Sequence, residues 1–363
     1  MAHASPPRPA PIGQAAIRVL VCDDSAVMRI AIARALESDP AVRVIARAAN
    51  GALAIEAVKR EPVDVVVLDI EMPVMDGLAA LPLLLRAAPG LRVVMASTLT
   101  TRGADATLRA LRLGAADYVA KPSAIGEQTG EAFRRELLGK VRALAGRRPA
   151  PAGGAGEERG LPPLRPRPVD PPRLLAIGCS TGGPPALFAV MGALGATMPV
   201  PVVVTQHMPA AFTPILAEHM GRAGQLPCAE ARDGEALSPG RVYLAPGDRH
   251  LLIEPAARGA TARLSDAAPV NFCRPSVDPM LESAAAAFDG RVLVAMLTGM
   301  GHDGLAGTRR VIAAGGTAIA QDEASSVIWG MPGAVARAGL CHAVLPLAEI
   351  APRLLDLLRV VRQ

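Results

Sequence analysis

The segment Arg173-Leu-Leu-Ala-Ile-Gly-Cys-Ser-Thr-Gly-Gly-Pro-Pro185 sets how the second half of the chain folds. The mostly apolar residues 173–177 predict a buried strand, and the glycines that follow allow a tight reversal into a helix whose first turn accepts two prolines. Residues 178–182 fit the pattern G-x-S-x-G, in which a strand-to-helix turn exposes a serine hydroxyl. Ser180 is therefore a candidate nucleophile, and the alternative is a serine that only caps the helix.

The composition limits the possible classes of protein. With 363 residues, of which 51% are hydrophobic and 2% aromatic, the chain has room for two or three domains with aliphatic cores. The net charge of +5 is modest, so we expect no nucleic-acid partner. Five scattered cysteines without a C-x-x-C pair argue against disulfides or zinc and favour a cytoplasmic protein. Proline and glycine interrupt the uncharged residues 174–217, so we expect no membrane insertion.

Composition also divides the chain into four segments. Residues 1–16 are rich in proline and alanine and predict a disordered leader. Residues 17–140 alternate predicted strands and helices, as a first α/β domain would. Residues 141–172 combine proline, glycine and arginine without apolar periodicity and predict an extended linker. Residues 173–363 alternate strands and helices again and form the predicted output domain.

Polar residues follow the predicted strands of the first domain. The third strand, residues 63–69, is apolar and β-branched, as expected for a parallel sheet that is covered on both faces. Open α/β sheets bind ligands at the carboxyl edge of their strands. The polar residues predicted at this edge are Asp23, Asp24, Asp69, Ser97 and Lys121.

Three carboxylates at one edge repel one another unless a cation joins them. Oxygen ligands suit Mg²⁺, so Asp23, Asp24 and Asp69 are candidate metal ligands. Lys121 adds a fixed positive charge and Ser97 a hydroxyl, which together favour phosphoryl transfer onto Asp69.

The segment 17–140 resembles the receiver domain of two-component response regulators, which has a flavodoxin-like fold with a five-stranded parallel sheet. The resemblance implies that a histidine kinase phosphorylates Asp69. It also implies that Asp23 and Asp24 hold Mg²⁺, and that Ser97 and Lys121 sense the phosphate.

In the output domain, Ser180, His207 and Asp303 each follow a predicted strand and can meet at one sheet edge. A serine needs an adjacent base, which His207 can supply, and Asp303 can orient the imidazole. The backbone N–H groups of residues 299–301 can stabilise an oxyanion. Taken singly, His207 could be a structural histidine and Asp303 a helix cap, but their joint placement favours catalysis.

Three further details complete the prediction for the output domain. A hairpin formed by residues 241–245 and 250–254 is expected beside a mostly parallel sheet. Cys179 is a rival nucleophile, but the residue before the apex of such a turn points inward, so we expect a small core residue. The order Ser, His, Asp differs from that of α/β-hydrolases, so the turn does not imply that superfamily.

Five motifs in this half resemble the signature of the CheB family of chemotaxis protein-glutamate methylesterases. They are Ile177-Gly-Cys-Ser-Thr-Gly-Gly183, Gln206-His-Met-Pro209, Leu244-Ala-Pro-Gly247, Leu297-Thr-Gly-Met-Gly-His-Asp-Gly304 and Trp329-Gly-Met-Pro-Gly333. The resemblance implies an α/β methylesterase domain without a cofactor. It implies Ser180 as nucleophile, His207 as base and Asp303 as orienting acid. Thr181 would support the histidine, and the Met300 backbone would lie near the oxyanion.

The same resemblance implies a substrate, a phosphodonor and a mode of regulation. The substrates would be glutamate methyl esters and specific glutamines of chemoreceptors, and a CheA-type histidine kinase would be the phosphodonor. The unphosphorylated receiver would cover the active site of a monomeric enzyme. Cys179 and His302 stand where Ala and Asn or Arg are common in the family.

Two alternatives remain open at this point. One is a response regulator whose output binds DNA or protein; an output of about 190 residues that is not strongly basic disfavours it. The other is a related methylesterase that serves a pathway other than swimming.

Overall fold

The computed structural model of the chain describes residues 16–121, 127–146, 161–168 and 170–359. The predicted leader, except for residue 16, and residues 147–160 and 169 of the predicted linker lie outside this range. None of the described helices is both long enough and apolar enough to cross a lipid bilayer.

The first unit is a parallel sheet covered by helices, as predicted. Its strands have the order β2-β1-β3-β4-β5, and all pairs are parallel. Each residue of β3 is buried, because helices cover both faces of the sheet. The elements are β1 (Ile17–Cys22), α1 (Ala26–Glu37), β2 (Val42–Ala48), α2 (Gly51–Arg60), β3 (Val65–Asp69), α3 (Gly77–Ala87), β4 (Arg92–Ser97), α4 (Thr101–Arg112), β5 (Asp117–Ala120) and α5 (Glu127–Ala145).

The second unit contains a larger parallel sheet and a separate antiparallel pair. The seven strands have the order β14-β13-β12-β6-β7-β9-β8, with β6 and β12 near the centre. The elements are β6 (Leu174–Cys179), α6 (Gly183–Leu194), β7 (Val202–Gln206), α7 (Thr213–Gly224), β8 (Cys228–Glu230), β9 (Val242–Leu244), β10 (His250–Pro255), β11 (Ala260–Ser265), α8 (Val277–Ala287), β12 (Val292–Met296), α9 (Leu305–Ala313), β13 (Thr317–Gln321), α10 (Met331–Arg337), β14 (Ala343–Leu345) and α11 (Leu347–Leu358).

The predicted hairpin has a different partner in the structure. β9 does not pair with β10; it lies parallel to β7 and β8 in the large sheet, and β10 pairs with β11 instead. The prediction was wrong on this point because all three residues of β9 are buried, which is typical of a strand covered on both faces. The antiparallel pair itself is present, as expected.

The end of the predicted linker is extended and held against the second unit. Arg165 N donates to Cys341 O at 2.9 Å, and Arg165 O lies 3.0 Å from His342 Nδ1. Arg167 Nη2 donates to Asp356 O at 2.8 Å. The boundary expected at residue 140 stays a prediction, and helix α5 continues to Ala145.

Helix α4 of the first unit packs against α6 and α7 of the second. The Arg112 guanidinium lies 4.5 Å from the centre of the Phe188 ring, and Arg112 Nη2 donates to His219 O at 3.2 Å. His219 Nε2 lies 3.0 Å from Asp105 Oδ1. Both α7 and α6 are therefore tied to one face of the first unit.

Two further contacts join the units. Tyr118, on the edge strand β5, stacks on Phe212, with ring centres 4.8 Å apart. Met300 lies against α5, where a Cβ placed on Gly139 would be 3.4 Å from Met300 Cε. The first unit thus contacts the loop that carries the predicted oxyanion donors.

Candidate active site and acidic site

The turn around Ser180 has the tight geometry that the sequence predicts. Gly182 has φ 74°, a left-handed conformation, and a Cβ there would lie 2.5 Å from Val327 Cβ. Gly183 N donates to Ser180 O at 2.7 Å, and α6 begins at Gly183 with Pro184 in its first turn. Ser180 therefore stands between the end of β6 and the N-terminus of α6, and its side chain is half-buried.

Cys179 points inward, as expected. It is fully buried, and its thiol lies 3.1 Å from Gln206 Oε1. Burial raises the pKa of this thiol, which disfavours the thiolate that a nucleophilic cysteine needs.

The strand register brings Ser180 and His207 together. Cys179 at the end of β6 pairs with Gln206 at the end of β7, so Ser180 and His207 are the next residues on neighbouring strands. Neighbouring strands lie about 4.8 Å apart. His207 N also donates to Cys179 O at 3.2 Å, which fixes the start of the histidine loop against the turn.

Gln206 ties the two loops together through its side-chain amide. Its Nε2 donates to Ser180 O at 3.0 Å and to His207 O at 3.1 Å. A Cβ on Gly183 would lie 1.9 Å from Gln206 Oε1, so a glycine is required where the amide enters. The amide thus sets the spacing between the serine and histidine loops.

His207 and Asp303 form a close pair. Their Nε2 and Oδ2 atoms are 2.7 Å apart, and the side chains are 13% and 3% exposed, respectively. The pair directs the other imidazole nitrogen, Nδ1, away from Asp303. Cys273 Sγ lies 3.5 Å from that nitrogen.

Asp303 lies at the N-terminus of α8, although it belongs to the loop before α9. The end of that helix offers free N–H groups that favour an anion. Asp303 accepts hydrogen bonds there from Val277 N at 2.7 Å, Ser276 Oγ at 2.7 Å, Asn271 Nδ2 at 2.9 Å and Asp278 N at 3.3 Å.

These contacts shift the two pKa values in opposite directions. Burial alone would raise the pKa of Asp303, but the His207 hydrogen bond and charge, with the N–H of Val277, hold it well below its usual range. Burial would lower the pKa of His207, but the hydrogen bonds with Asp303 and Cys273 raise it to about 9. The Asp303 carboxylate therefore favours the cationic form of the imidazole in this arrangement.

In this structure the Ser180 hydroxyl is not hydrogen-bonded to the imidazole of His207. Within the part of the chain that the structure describes, no hydrogen bond joins Ser180 Oγ to His207, whose Nδ1 faces Cys273. Thr181 is buried and accepts a hydrogen bond from Thr298 Oγ1 through its carbonyl, at 2.9 Å. No hydrogen bond links its hydroxyl to His207 among the described residues, so its supporting role stays a prediction.

The loop after β12 contains the predicted oxyanion donors. Gly299 N donates to Ile328 O at 3.0 Å, so this N–H group is occupied. The N–H groups of Met300 and Gly301 form no hydrogen bond with the described residues. Of the three amides predicted from the sequence, Met300 and Gly301 therefore remain as donors. His302 is exposed beside them.

The sequence alone assigned no role in the site to Gln206, Asn271, Cys273 or Ser276. The last three lie on the loop before α8, and the sequence does not show where that loop packs. One signal was present: Ser276-Val-Asp278 opens an alanine-rich helix, and a helix N-terminus favours an anion.

The acidic residues of the first unit converge as predicted. Oxygen atoms of Asp23, Asp24 and Asp69 lie within 4.8 Å of one another. Lys121 Nζ lies 2.7 Å from Asp69 Oδ1 and 2.6 Å from Asp23 Oδ2. Three carboxylates in this space form an oxygen donor set that suits a hard divalent cation, so the residues fit Mg²⁺.

Two features of this acidic site bear on its chemistry. Burial raises the pKa of Asp69 above its usual value; the Lys121 ion pair opposes that rise and the charge of Asp23 adds to it. Ser97 Oγ lies 3.1 Å from Gly103 O at the start of α4, so its hydroxyl is hydrogen-bonded to the helix that contacts the second unit.

Comparison with known proteins found one family match in each of the two units. Residues 175–354 match the family model for the CheB methylesterase, and residues 19–130 match that for the response regulator receiver domain. A protein-glutamate methylesterase/protein-glutamine glutaminase 1 of Paramagnetospirillum magneticum is 52% identical, over 94% of this chain and 96% of its own. One of Azospirillum brasilense is 52% identical over 96% of each chain. The catalytic domain of the Thermotoga maritima CheB methylesterase covers 51% of this chain and 98% of its own, with 39% identity and a TM-score of 0.50.

Proposed function

The chain belongs to the protein-glutamate methylesterase/protein-glutamine glutaminase family, and on that basis we propose that it hydrolyses glutamate methyl esters and deamidates glutamines on a chemoreceptor. We further propose that phosphorylation of its receiver domain activates this reaction and that the chain serves sensory adaptation. A cytoplasmic location is part of the proposal, supported by five free cysteines. A monomeric state stays a prediction.

Ser180, His207 and Asp303 carry the proposed reaction. The supporting observation is that the β6–β7 register places Ser180 beside His207, while Asp303 accepts from His207 Nε2 at 2.7 Å. Because Nε2 is hydrogen-bonded to Asp303, Nδ1 is the nitrogen that can act as a base toward the serine. The base requires a neutral imidazole and a rotation of the ring that turns Nδ1 from Cys273 toward Ser180.

The proposed steps follow from these roles. His207 Nδ1 takes the proton from Ser180 Oγ as Oγ bonds to the ester carbonyl carbon, and the carbonyl π electrons move to oxygen. The Met300 and Gly301 N–H groups are the proposed donors to that oxyanion. The C–OCH₃ bond then breaks, and methanol leaves with the proton from His207. Water attacks the acyl-enzyme by the same route and frees Ser180 and the glutamate. Ammonia replaces methanol when the substrate is glutamine.

The acidic site is the proposed phosphoacceptor. Asp69 attacks the phosphorus of a phosphohistidine in the kinase, so that the P–N bond breaks as an O–P bond forms. Asp23, Asp24 and Asp69 would hold Mg²⁺, which supplies positive charge to the phosphoryl oxygens. Lys121 forms ion pairs with Asp69 and Asp23 in this structure and would remain as a counter-charge. The Ser97 hydroxyl would turn from Gly103 toward the phosphoryl group.

The loop that contains Val327 and Ile328 contacts both the receiver and the proposed active site. Ile328 belongs to the same apolar cluster as Phe133 and Leu137 of α5. Its carbonyl accepts from Gly299 N at 3.0 Å, and its neighbour Val327 packs on Gly182 of the serine turn. We propose that displacement of α4 and α5 after phosphorylation relieves these contacts and uncovers Met300.

The proposed nucleophile is tested by methanol release from a methylated chemoreceptor. Ser180→Ala should abolish release while circular dichroism and the melting temperature stay unchanged. A Cys179→Ala variant is the matched control, and it should retain activity because that thiol is buried. Activity that survives Ser180→Ala and is lost in Cys179→Ala would reverse the assignment.

A further inference from the structure

A two-residue turn beside the proposed active site presents one aromatic ring to solvent. Val270 N donates to Cys273 O at 3.1 Å, and Cys273 N donates to Val270 O at 2.9 Å. The two residues between them, Asn271 and Phe272, have φ 52° and 62°. Both lie in the left-handed region, as in a type I′ turn, where glycine is the usual second residue.

Phe272 has no structural reason to occupy this position. Its side chain is 97% exposed, so it buries almost no apolar surface and does not stabilise the fold in that way. A positive φ is strained for an aromatic residue, and glycine would relieve that strain. An exposed and strained apolar residue is typical of a functional position rather than of packing.

The turn is anchored directly on the charged pair of the active site. Asn271 Nδ2 donates to Asp303 Oδ1 at 2.9 Å and to Asp278 Oδ2 at 2.8 Å. On the other side of the turn, Cys273 Sγ lies 3.5 Å from His207 Nδ1. Each neighbour of Phe272 thus contacts a catalytic residue or its support, and the backbone that carries the ring is fixed beside the site.

We infer that Phe272 is a substrate-binding residue that packs against an apolar side chain next to the reacting glutamate in the substrate polypeptide. This inference rests on the proposed function. A methyl ester reaching Ser180 brings its neighbouring residues to the rim, where Phe272 offers an aromatic face. The backbone of the turn is already fixed, so covering the ring orders only one side chain, and the contact favours binding rather than the chemical step.

The test uses two synthetic peptides that carry γ-methyl glutamate, one flanked by leucines and one by serines. The wild-type chain should cleave the leucine peptide with a kcat/KM about 10-fold higher, as expected for one apolar contact. Phe272→Ser should lose most of that preference through a higher KM, and Phe272→Leu should retain most of it. Labelling of Ser180 by a fluorophosphonate should be the same in all variants.

Phe272→Gly separates binding from folding. It should raise the melting temperature, since glycine accepts the positive φ, and still raise the KM for the leucine peptide. Leu53→Ser is the matched control, because Leu53 is 52% exposed on α2 of the receiver and should leave KM unchanged. An unchanged KM ratio in Phe272→Ser overturns the inference and leaves the proposed function intact. If the labelled wild-type protein cleaves neither peptide, both are overturned.

Discussion

Asp69 ends a strand of one parallel sheet and Asp303 lies in the loop after a strand of the other, and the surroundings of these two buried carboxylates shift their pKa values in opposite directions. They are 6% and 3% exposed. Asp69 shares one cation, Lys121, with Asp23, and burial raises its pKa. Asp303 accepts hydrogen bonds from a helix N-terminus and from His207, and its pKa is held well below the usual range in spite of burial.

The difference shows that donors, rather than burial, determine what a buried carboxylate can do. The surroundings of Asp303 stabilise its anionic form, which suits an orienting partner for an imidazolium. The Asp69 carboxylate has fewer hydrogen-bond donors around it, which suits a residue that gains a phosphoryl group and a metal ion. The proposed roles of the two residues can therefore be tested by changing their donors and charges.

Removing the charge of Asp303 should have the largest effect. Asp303→Asn should lower the rate of methanol release by about 10⁴-fold, because the amide cannot stabilise the imidazolium. Asp289→Asn is the control, since Asp289 is an exposed carboxylate after α8. A loss smaller than tenfold would contradict the orienting role.

The same change at Asp69 should affect regulation rather than chemistry. Asp69→Asn should remove the stimulation of methanol release by acetyl phosphate and leave the basal rate in place. The basal rate persists because Asp69 lies outside the catalytic unit. Equal stimulation of the wild-type and variant proteins would show that the acidic site is not the phosphoacceptor.

The pKa of His207 predicts an alkaline pH–rate profile. The base must be neutral, and its pKa is raised to about 9, so the basal rate should rise with pH up to that value. Cys273→Ala removes one group that raises this pKa and should move the profile to lower pH. Cys228→Ala, on β8, should not move it. Identical profiles for the wild type and Cys273→Ala would rule out the Cys273 contribution.

The same shift affects stability. Protonated His207 stabilises the fold, because its pKa is higher in the folded chain than the ordinary value of 6.5. This contribution is fully present below pH 6.5 and is lost as the pH rises through about 9. The free energy of unfolding should therefore fall over that range, and it should fall less in Asp303→Asn. Urea titrations at several pH values measure both slopes.

The smallest predicted effect concerns the contact between the units. Arg112→Ala removes the cation–π contact with Phe188 and the hydrogen bond to His219 O. The basal rate should rise roughly 2- to 5-fold, the size expected for an exposed contact of this kind. Arg109→Ala lies on the same helix and is the control. A lower basal rate in Arg112→Ala would contradict inhibition by docking.

The parts of the fold set by local sequence were predictable. Ser180, His207 and Asp303 each follow a strand, and parallel strands bring their carboxyl ends to one edge, so order alone placed them together. Hydrophobic pattern identified β9 and β10 as strands but not their partners, because pairing of a short buried strand depends on tertiary contacts.

The supporting residues of the active site could not be predicted in the same way. Asn271 and Cys273 belong to a loop whose position depends on the turn at Phe272 and on the packing of α8. Gln206 was visible at the end of β7, but its role depends on a hydrogen bond to the carbonyl of a different strand. Contacts of this kind arise only when distant segments pack.

Labelling of the intact protein by a fluorophosphonate, with the site identified by mass spectrometry, tests the central claim most directly. The account predicts one labelled residue, Ser180, with a rate that increases when acetyl phosphate is added and falls steeply in His207→Ala. Label on Cys179 or Cys273, or a labelling rate of Ser180 that is independent of His207, would contradict it.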